Sequence, residues 1–386
     1  MGLTLAIGGQ VVATTTTGPG GVFSFGFEGS VTENAPALVY VTGGGTHAAN
    51  RVVPLQGWLT ADVGLLADWV WVTSRATTLS GLLEEMRIAV GGLVGDGVLY
   101  SFDGDKPVLA GGIGLRLDTH AFYFTFDTAL DLTGHALHLS GWTEHAGSSS
   151  LKVGTFILDG GGRWVQNAAE LPEFAAADFQ VKRGSFLRSA GGDGSEAAPW
   201  VLVDVYGLQG VFHGASNAKH YVLGNDIDAS GAANWNDGGG FKPIGNRLGN
   251  EPFQGRFDGN GHTISGLTID TNESSAGLFG FIGRDGWVGD LVLAEANVTG
   301  ASAVGAVAGT NFGTIERVEV RGGQVTGNMV VGGLAGVNWG NIADSLASAA
   351  VSGSWTLGGL AGENGENGRI ERAGATGDVT GDDRPV

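Results

Sequence analysis

The sequence predicts an all-β protein, and within that class a right-handed parallel β-helix (a β-solenoid) with one or two short helices. Three observations carry the prediction. Glycine is extreme, at 72 of 386 residues, in a chain poor in Pro and rich in Val, Thr and Ala, a composition that suits short strands joined by tight turns. No stretch sustains the 3.6-residue apolar period of a helical protein. And one glycine-studded phrase recurs, as "VGAVAGTNFGTI" (304–315), "VGGLAGVNWGNI" (331–342) and "LGGLAGENGENGRI" (357–370).

Composition narrows the function classes. Hydrophobic residues make up 42% of the chain, ample for a buried core, and only 15% are charged. The net charge of −19 comes with no basic stripe, which disfavours nucleic-acid binding and docking on anionic membranes. An acidic surface of this kind keeps a long β protein soluble. Cysteine is absent, so there is no disulfide framework and no thiolate metal site; this fits an exported chain that stays unfolded in transit. No apolar run approaches the ~18 residues of a membrane helix, so membrane insertion is not expected. The start, "MGLTLAIGGQVVATTTT", lacks a basic n-region. It reads as the beginning of an internal piece of a longer secreted chain, with a methionine added.

From the N-terminus onward, residues 1–190 read as irregular β-helix coils. "GVFSFGFEG", "PALVYVTGG", "DWVWVT", "HAFYFTFDTALDL", "HALHLSG" and "LKVGTFILDGGG" are short alternating strands ending in glycine or aspartate. In "AFYFTF", period two places Phe122, Phe124 and Phe126 on one face. "LSGLLEEMRIAV" (79–90) is either a short surface helix or a strand pair. "SAGGDGSEAAPW" (189–200) marks the boundary to a second region, 191–386, that continues the same solenoid; "VDVYGLQGVF" opens it as a short helix.

The repeats themselves occupy about 275–300, 304–327, 331–353 and 357–381. Gly280, Gly309, Gly336 and Gly362 align at spacings of 29, 27 and 26, with Leu278, Val307, Leu334 and Leu360 two residues before them. A second anchor follows at Val288, Ile315, Ile342 and Ile370, and each round closes on "VTG" or "VSG". Such a period signals a solenoid or array. Each unit holds two or three short strands, too few to bury a face alone, so stacking on the next copy must do it. Asn311, Asn338 and Asn364 recur two residues after the aligned glycine, where stacked amides can bond from coil to coil; the first copy has Ile282 there.

The segment 199–381 resembles the GLUG-motif region of filamentous-haemagglutinin-like bacterial adhesins. The resemblance rests on "HYVLGNDIDASGAANWNDGGGFKPIG", "FQGRFDGNGHTISGLTID", "AGLFGFIG" and the repeats, in that order. It implies a secreted or cell-surface protein of a Gram-negative bacterium, a non-catalytic adhesive shaft for attachment, aggregation or biofilm. Its implied partners are host or bacterial surface glycans or proteins. The chain departs from the family in showing no secretion domain, and "VTGDDRPV" follows the last repeat without an obvious cap. An uncapped coil offers an unpaired strand edge, so the alternative is a self-assembling fibre subunit, joined end to end or laterally, with Asp382, Asp383 and Pro385 as a modest block. A third reading is a β-helix enzyme acting on polysaccharide.

No catalytic residue, cofactor or metal site is assigned. "RFDGNGHTISGL" brings Arg256, Asp258 and His262 close in sequence, with Asp226 and Asp228 upstream. The better account of Asp258 and Asn260 is a tight turn with Gly259 and Gly261 at positive φ. Calcium is conceivable at Asp103 and Asp105 or at Asp193 and Glu196, yet neither pair repeats with a calcium-roll period. His135 and His138 fall on opposite faces of a strand, with His145 further on. The Ser149–Lys152 and Ser216–Lys219 spacings stand alone. Trp69 and Trp71 share one strand face, as core or as a sugar platform. Trp339 takes the place of Phe312 beside the asparagines, and these two aromatics are the candidate glycan contacts.

Overall fold

The computed structural model describes residues 2–19, 23–25, 35–42, 49–54, 65–94, 97–119, 121–211, 219–245 and 251–381. It divides into two compact units, one formed by residues 1–165 with 172–184, the other by 166–171 with 185–386. The chain is all-β with extensive parallel sheets, a β-helix-like arrangement. The C-terminal block expected to interrupt growth at Asp382, Asp383 and Pro385 lies outside the described residues, as does Ser216.

In the first unit the larger sheet pairs Phe174–Val181, Leu151–Leu158, Leu130–Ser140, Gly114–Thr119, Trp69–Ser74 and Asn50–Pro54, in that order and in parallel. Alternation sets the inward face. Val70, Leu115, Leu137, Phe156 and Phe179 stack in one register row, Val72, Leu117, Leu139, Leu158 and Val181 in another, and all ten are buried. A second parallel sheet contains Tyr123–Phe126, Glu144–Gly147 and residues 163–165. Its Phe124, Phe126, His145 and Trp164 meet Phe156, Phe174 and Phe179 in one aromatic core, with Phe126 and Trp164 at 5.0 Å between centroids.

The start of this unit departs from the expected coils. Gly2–Ile7, Gln10–Thr16, Pro36–Thr42 and Asn50–Pro54 pair antiparallel. The cause is local. Gly8 and Gly9 have φ of 55° and 73°, the two-residue turn that folds a strand back on its neighbour. Phe122 also departs from expectation: the strand begins at Tyr123, so Phe124 and Phe126 turn inward while Phe122 is 89% exposed.

Leu79–Val90 is a helix rather than a strand pair. Thr78 caps it by accepting from the Gly81 amide, Gly91 ends it at φ 51°, and Leu79, Leu82, Leu83, Met86, Ala89 and Val90 form its buried stripe. Val205–Gly210 is the second helix, capped by Asp204. Two further helical turns, Ser230–Asn234 and Trp235–Gly238, go beyond the one or two expected.

The second unit is built from four parallel sheets. One pairs Trp200–Leu202, His220–Leu223, Arg256–Asp258, Trp287–Ala294, Thr314–Arg321, Asn341–Ala343 and Arg369–Glu371. Each later round then adds one strand to each of the other three, as Asn297–Gly300, Ala303–Gly305 and Ala308–Asn311 do before the chain re-enters the first sheet at Thr314. A round thus holds four strands, or five where Asn341–Ala343 and Leu346–Ala347 are separate, against the two or three expected, because three-residue pieces such as Ala303–Gly305 read as turns in the sequence. The register row Tyr221, Phe257, Val288, Ile315, Ile342 fills one side of the interior, and Ile269, Val298, Val325, Val351 another; Ile370 and Val379 continue the two rows in register but are exposed.

Candidate functional site: residue columns on the repeat unit

At the glycine phrase the backbone comes close to a neighbouring backbone segment, which for the last three copies belongs to the preceding round. A Cβ on Gly280 would lie 2.6 Å from the Gly245 carbonyl oxygen, on Gly309 2.6 Å from the Ala276 nitrogen, on Gly336 2.5 Å from the Val304 nitrogen, and on Gly362 2.7 Å from the Val331 nitrogen. All four meet backbone, which cannot swing away as a side chain can. Leu278, Val307 and Leu334 are wholly buried beside them, while Leu360 is half-buried.

Two residues on, the asparagines form a bonded column. Asn311 Nδ2 donates to Asn338 Oδ1 at 2.8 Å, and Asn338 Nδ2 to Asn364 Oδ1 at 2.7 Å. Asn311 and Asn338 are fully buried, so each amide needs such partners. Asn311 Oδ1 also accepts from the Gly313 amide, closing the local turn. Ile282 takes the corresponding place in the preceding round, in register with Asn311.

Beside the amides runs an aromatic column. Phe281 and Phe312 meet edge to face at 5.4 Å; Phe312 and Trp339 stack at 6.2 Å with planes 13° apart. A Cβ on Gly365 would sit 2.4 Å from the Trp339 ring, so the indole lies over that glycine in the next round. Phe312 and Trp339 are both half-buried, offering ring surface along the corner. Trp355 adds an indole that is 80% exposed in a Ser-Trp turn. The sequence reading passed over it, although a Trp inside "GSWT" is unusual for a turn.

A third column alternates in charge. Asp290, Arg317, Asp344 and Arg372 each sit two residues after an inward anchor, and each has φ near 50°. Arg317 grips Asp290 with Nε to Oδ1 at 2.6 Å and Nη2 to Oδ2 at 2.9 Å; Arg372 grips Asp344 in the same way at 2.5 and 2.8 Å. The arginine hydrogen bonds hold both carboxyls below the usual range. Missed as a motif, this column was legible as D-R-D-R at a fixed offset from Val288, Ile315, Ile342 and Ile370.

The enzyme-like phrase resolves into turn chemistry. Asp258 Oδ1 accepts from the Asn260 amide and Oδ2 from Arg256. Positive φ falls on Asn260 and Gly261, at 50° and 79°, and not on Gly259. Gly259 is needed for close approach instead, since its Cβ would meet the Asp290 carbonyl at 2.5 Å. Asp226 Oδ1 accepts from the Thr263 amide and faces His262 Nδ1 at 3.2 Å; Asp228 accepts from the Ser230 amide. These bonds lower both carboxyl pKa values, so neither is held in the protonated state a general acid needs. Glu196, His220, Arg256 and Asp258 line a cavity of about 320 Å³, and Arg256 lies 3.4 Å over the Trp287 ring.

The remaining candidates separate. Asp103 and Asp105 belong to a hairpin turn at Gly104, and Asp193 accepts from the Ser195 amide. His135 bonds the Ile113 carbonyl, His138 meets Trp69 edge to face, and His145 is buried among Phe124, Phe126 and Trp164. Lys152 pairs with Glu173. Among the described residues, no group of three or more His, Asp or Glu is placed to hold a metal ion. Trp69 and Trp71 point away from the core, since Val70 and Val72 fill it.

Known proteins match this chain in part. The family model of the GLUG motif matches residues 353–380. Halomucin of Haloquadratum walsbyi is 41% identical over 149 residues, 37% of this chain and 2% of halomucin. A putative Gly-rich membrane protein of Evansella cellulosilytica is 38% identical over 136 residues, 34% of this chain and 15% of its own length. The chain therefore spans a small fraction of either relative. No solved structure matches it. No helix among the described residues is long and apolar enough to cross a membrane.

Proposed function

We propose that this chain is a non-catalytic, structural and adhesive segment of a larger surface protein, its repeat unit a right-handed β-solenoid that presents aromatic rings at a fixed spacing. The observation that carries the reading is the column Phe281, Phe312, Trp339, held in step by the bonded asparagines beside it. Ring faces spaced by one round suit weak contacts with successive sugar units of a surface glycan, and several weak contacts on one rigid body act together. The GLUG-motif match and the relatives named halomucin and putative Gly-rich membrane protein support a place at the cell surface.

The test is retention on immobilised cell-surface polysaccharide. The proposal expects the chain to be retained, and the Phe312→Ala, Trp339→Ala double variant to bind roughly tenfold more weakly while remaining folded. Retention no greater than that of an equally acidic, non-adhesive β protein would overturn it.

A further inference from the structure

In the first unit, Arg51, Trp71, Arg116 and His138 come from four neighbouring strands and share one register row. Their sequence neighbours Val70, Val72, Leu115, Leu117, Leu137 and Leu139 fill the interior. Period two therefore places the row on the opposite face of the sheet. The Arg51 guanidinium lies 3.4 Å from the Trp71 ring centroid, and that of Arg116 lies 4.7 Å from the same ring. Two cations stacked on one indole are oriented before any ligand arrives.

The row is rich in donors and poor in acceptors. Arg51 is only 7% exposed, and of its nitrogens Nη2 bonds the Thr73 hydroxyl. Arg51 Nε and Nη1, Arg116 Nε, Trp71 Nε1 and His138 Nε2 are all buried, and none has a hydrogen-bond partner among the described residues. Burial pushes the Arg51 pKa down to about 10, with the Asp118 charge opposing and the Arg116 charge adding to that depression. Buried guanidinium nitrogens without acceptors are costly, by more than neutral donors would be. Trp71, Arg116 and His138 are half-buried, so the row has an open side.

We propose that this row is an oxyanion-binding site, taking a sulfate, phosphate or carboxylate group whose oxygens accept from the two guanidiniums and the indole. Guanidinium edges match such groups in paired, charge-assisted bonds. The row stands near two carboxylates, Asp118 acting on Arg51 and Asp159 on His138, on a chain of net charge −19, so the site selects the anion by geometry rather than by long-range attraction.

Calorimetric titration of the full chain with sulfate, phosphate and glucuronate, each against chloride at matched ionic strength, tests this. One saturable site for at least one of the three is expected, weakened roughly tenfold in Arg116→Gln and in Arg51→Lys. Preference for glucuronate identifies a uronic-acid glycan as the source, and preference for sulfate or phosphate identifies an ester or free ion. Absence of saturable binding for all three in the parent chain, or unchanged binding in Arg116→Gln, overturns the site. The first of these outcomes is independent of whether any variant folds.

Discussion

The side-chain amide of Asn311 donates to the side-chain carbonyl of Asn338 at 2.8 Å, from a residue 27 positions earlier in the chain. Asn338 passes the same bond on to Asn364. Its replacement by alanine breaks both bonds and leaves the buried Asn311 amide without its side-chain acceptor. Asn338→Ala is therefore expected to cost about 3 kcal/mol in urea unfolding. Asn364→Ala, at the exposed end of the column, breaks one of these bonds rather than both and is expected to cost less, about 1 to 2 kcal/mol. Equal losses would show that the column does not act as a buried chain of bonds.

The aligned glycines make a sharper prediction, because their neighbours are backbone. The Cβ of Gly336→Ala would lie 2.5 Å from the Val304 nitrogen and 2.7 Å from the Gly309 oxygen. A loss of about 3 kcal/mol is expected. Gly231 has no atom within 4 Å of its added Cβ, and Gly231→Ala is expected to stay within about 0.5 kcal/mol of the parent. Similar urea midpoints for the two variants would contradict the close approach.

Buried His145 predicts a pH dependence. Burial among aromatic rings pushes its pKa from 6.5 down to about 3. The folded state keeps the ring neutral while the unfolded chain takes up a proton below about pH 6.5, so stability is full above that pH and falls as pH drops toward 3. The loss from this residue approaches about 4 kcal/mol at the bottom of the window. His138, held near 4 by burial and the Arg116 charge, contributes in the same direction. The slope of unfolding free energy between pH 6.5 and pH 4 is expected to flatten in His145→Phe; an unchanged slope would exclude His145 as its source.

What the sequence made legible was whatever repeats by residue type. Val288, Ile315, Ile342 and Ile370 stand in one register row because each round needs one inward residue at that place, and the asparagines recur as a single letter. The Asp290, Arg317, Asp344, Arg372 column is legible only as an alternation, because its letter changes sign from round to round while its offset from the anchor and its backbone conformation stay fixed. The Arg51, Trp71, Arg116 row was invisible for another reason. In the irregular first unit the intervals between paired strands vary, so only the structure sets which residues face each other. The Gly8–Gly9 pair in "AIGGQV" is a hairpin signal, but glycine pairs also occur between the coils of a solenoid, so the letters alone do not separate the two.

The central claim is that each repeat is one round, stacked in parallel on the next with Thr299, Thr326 and Ser352 in a single register row. The chain contains no cysteine, so paired cysteine variants report on register without interference. Thr326 and Ser352 face each other with hydroxyl oxygens 3.0 Å apart. Adjacent parallel strands lie about 4.8 Å apart, within disulfide reach, whereas two rounds span about 10 Å, beyond it. The measurement is intramolecular disulfide formation on mild oxidation of Thr326→Cys, Ser352→Cys beside Thr299→Cys, Ser352→Cys. A bridge in the first and none in the second is the predicted result. No bridge in the first, or bridges in both, would contradict the stacking of one round per repeat.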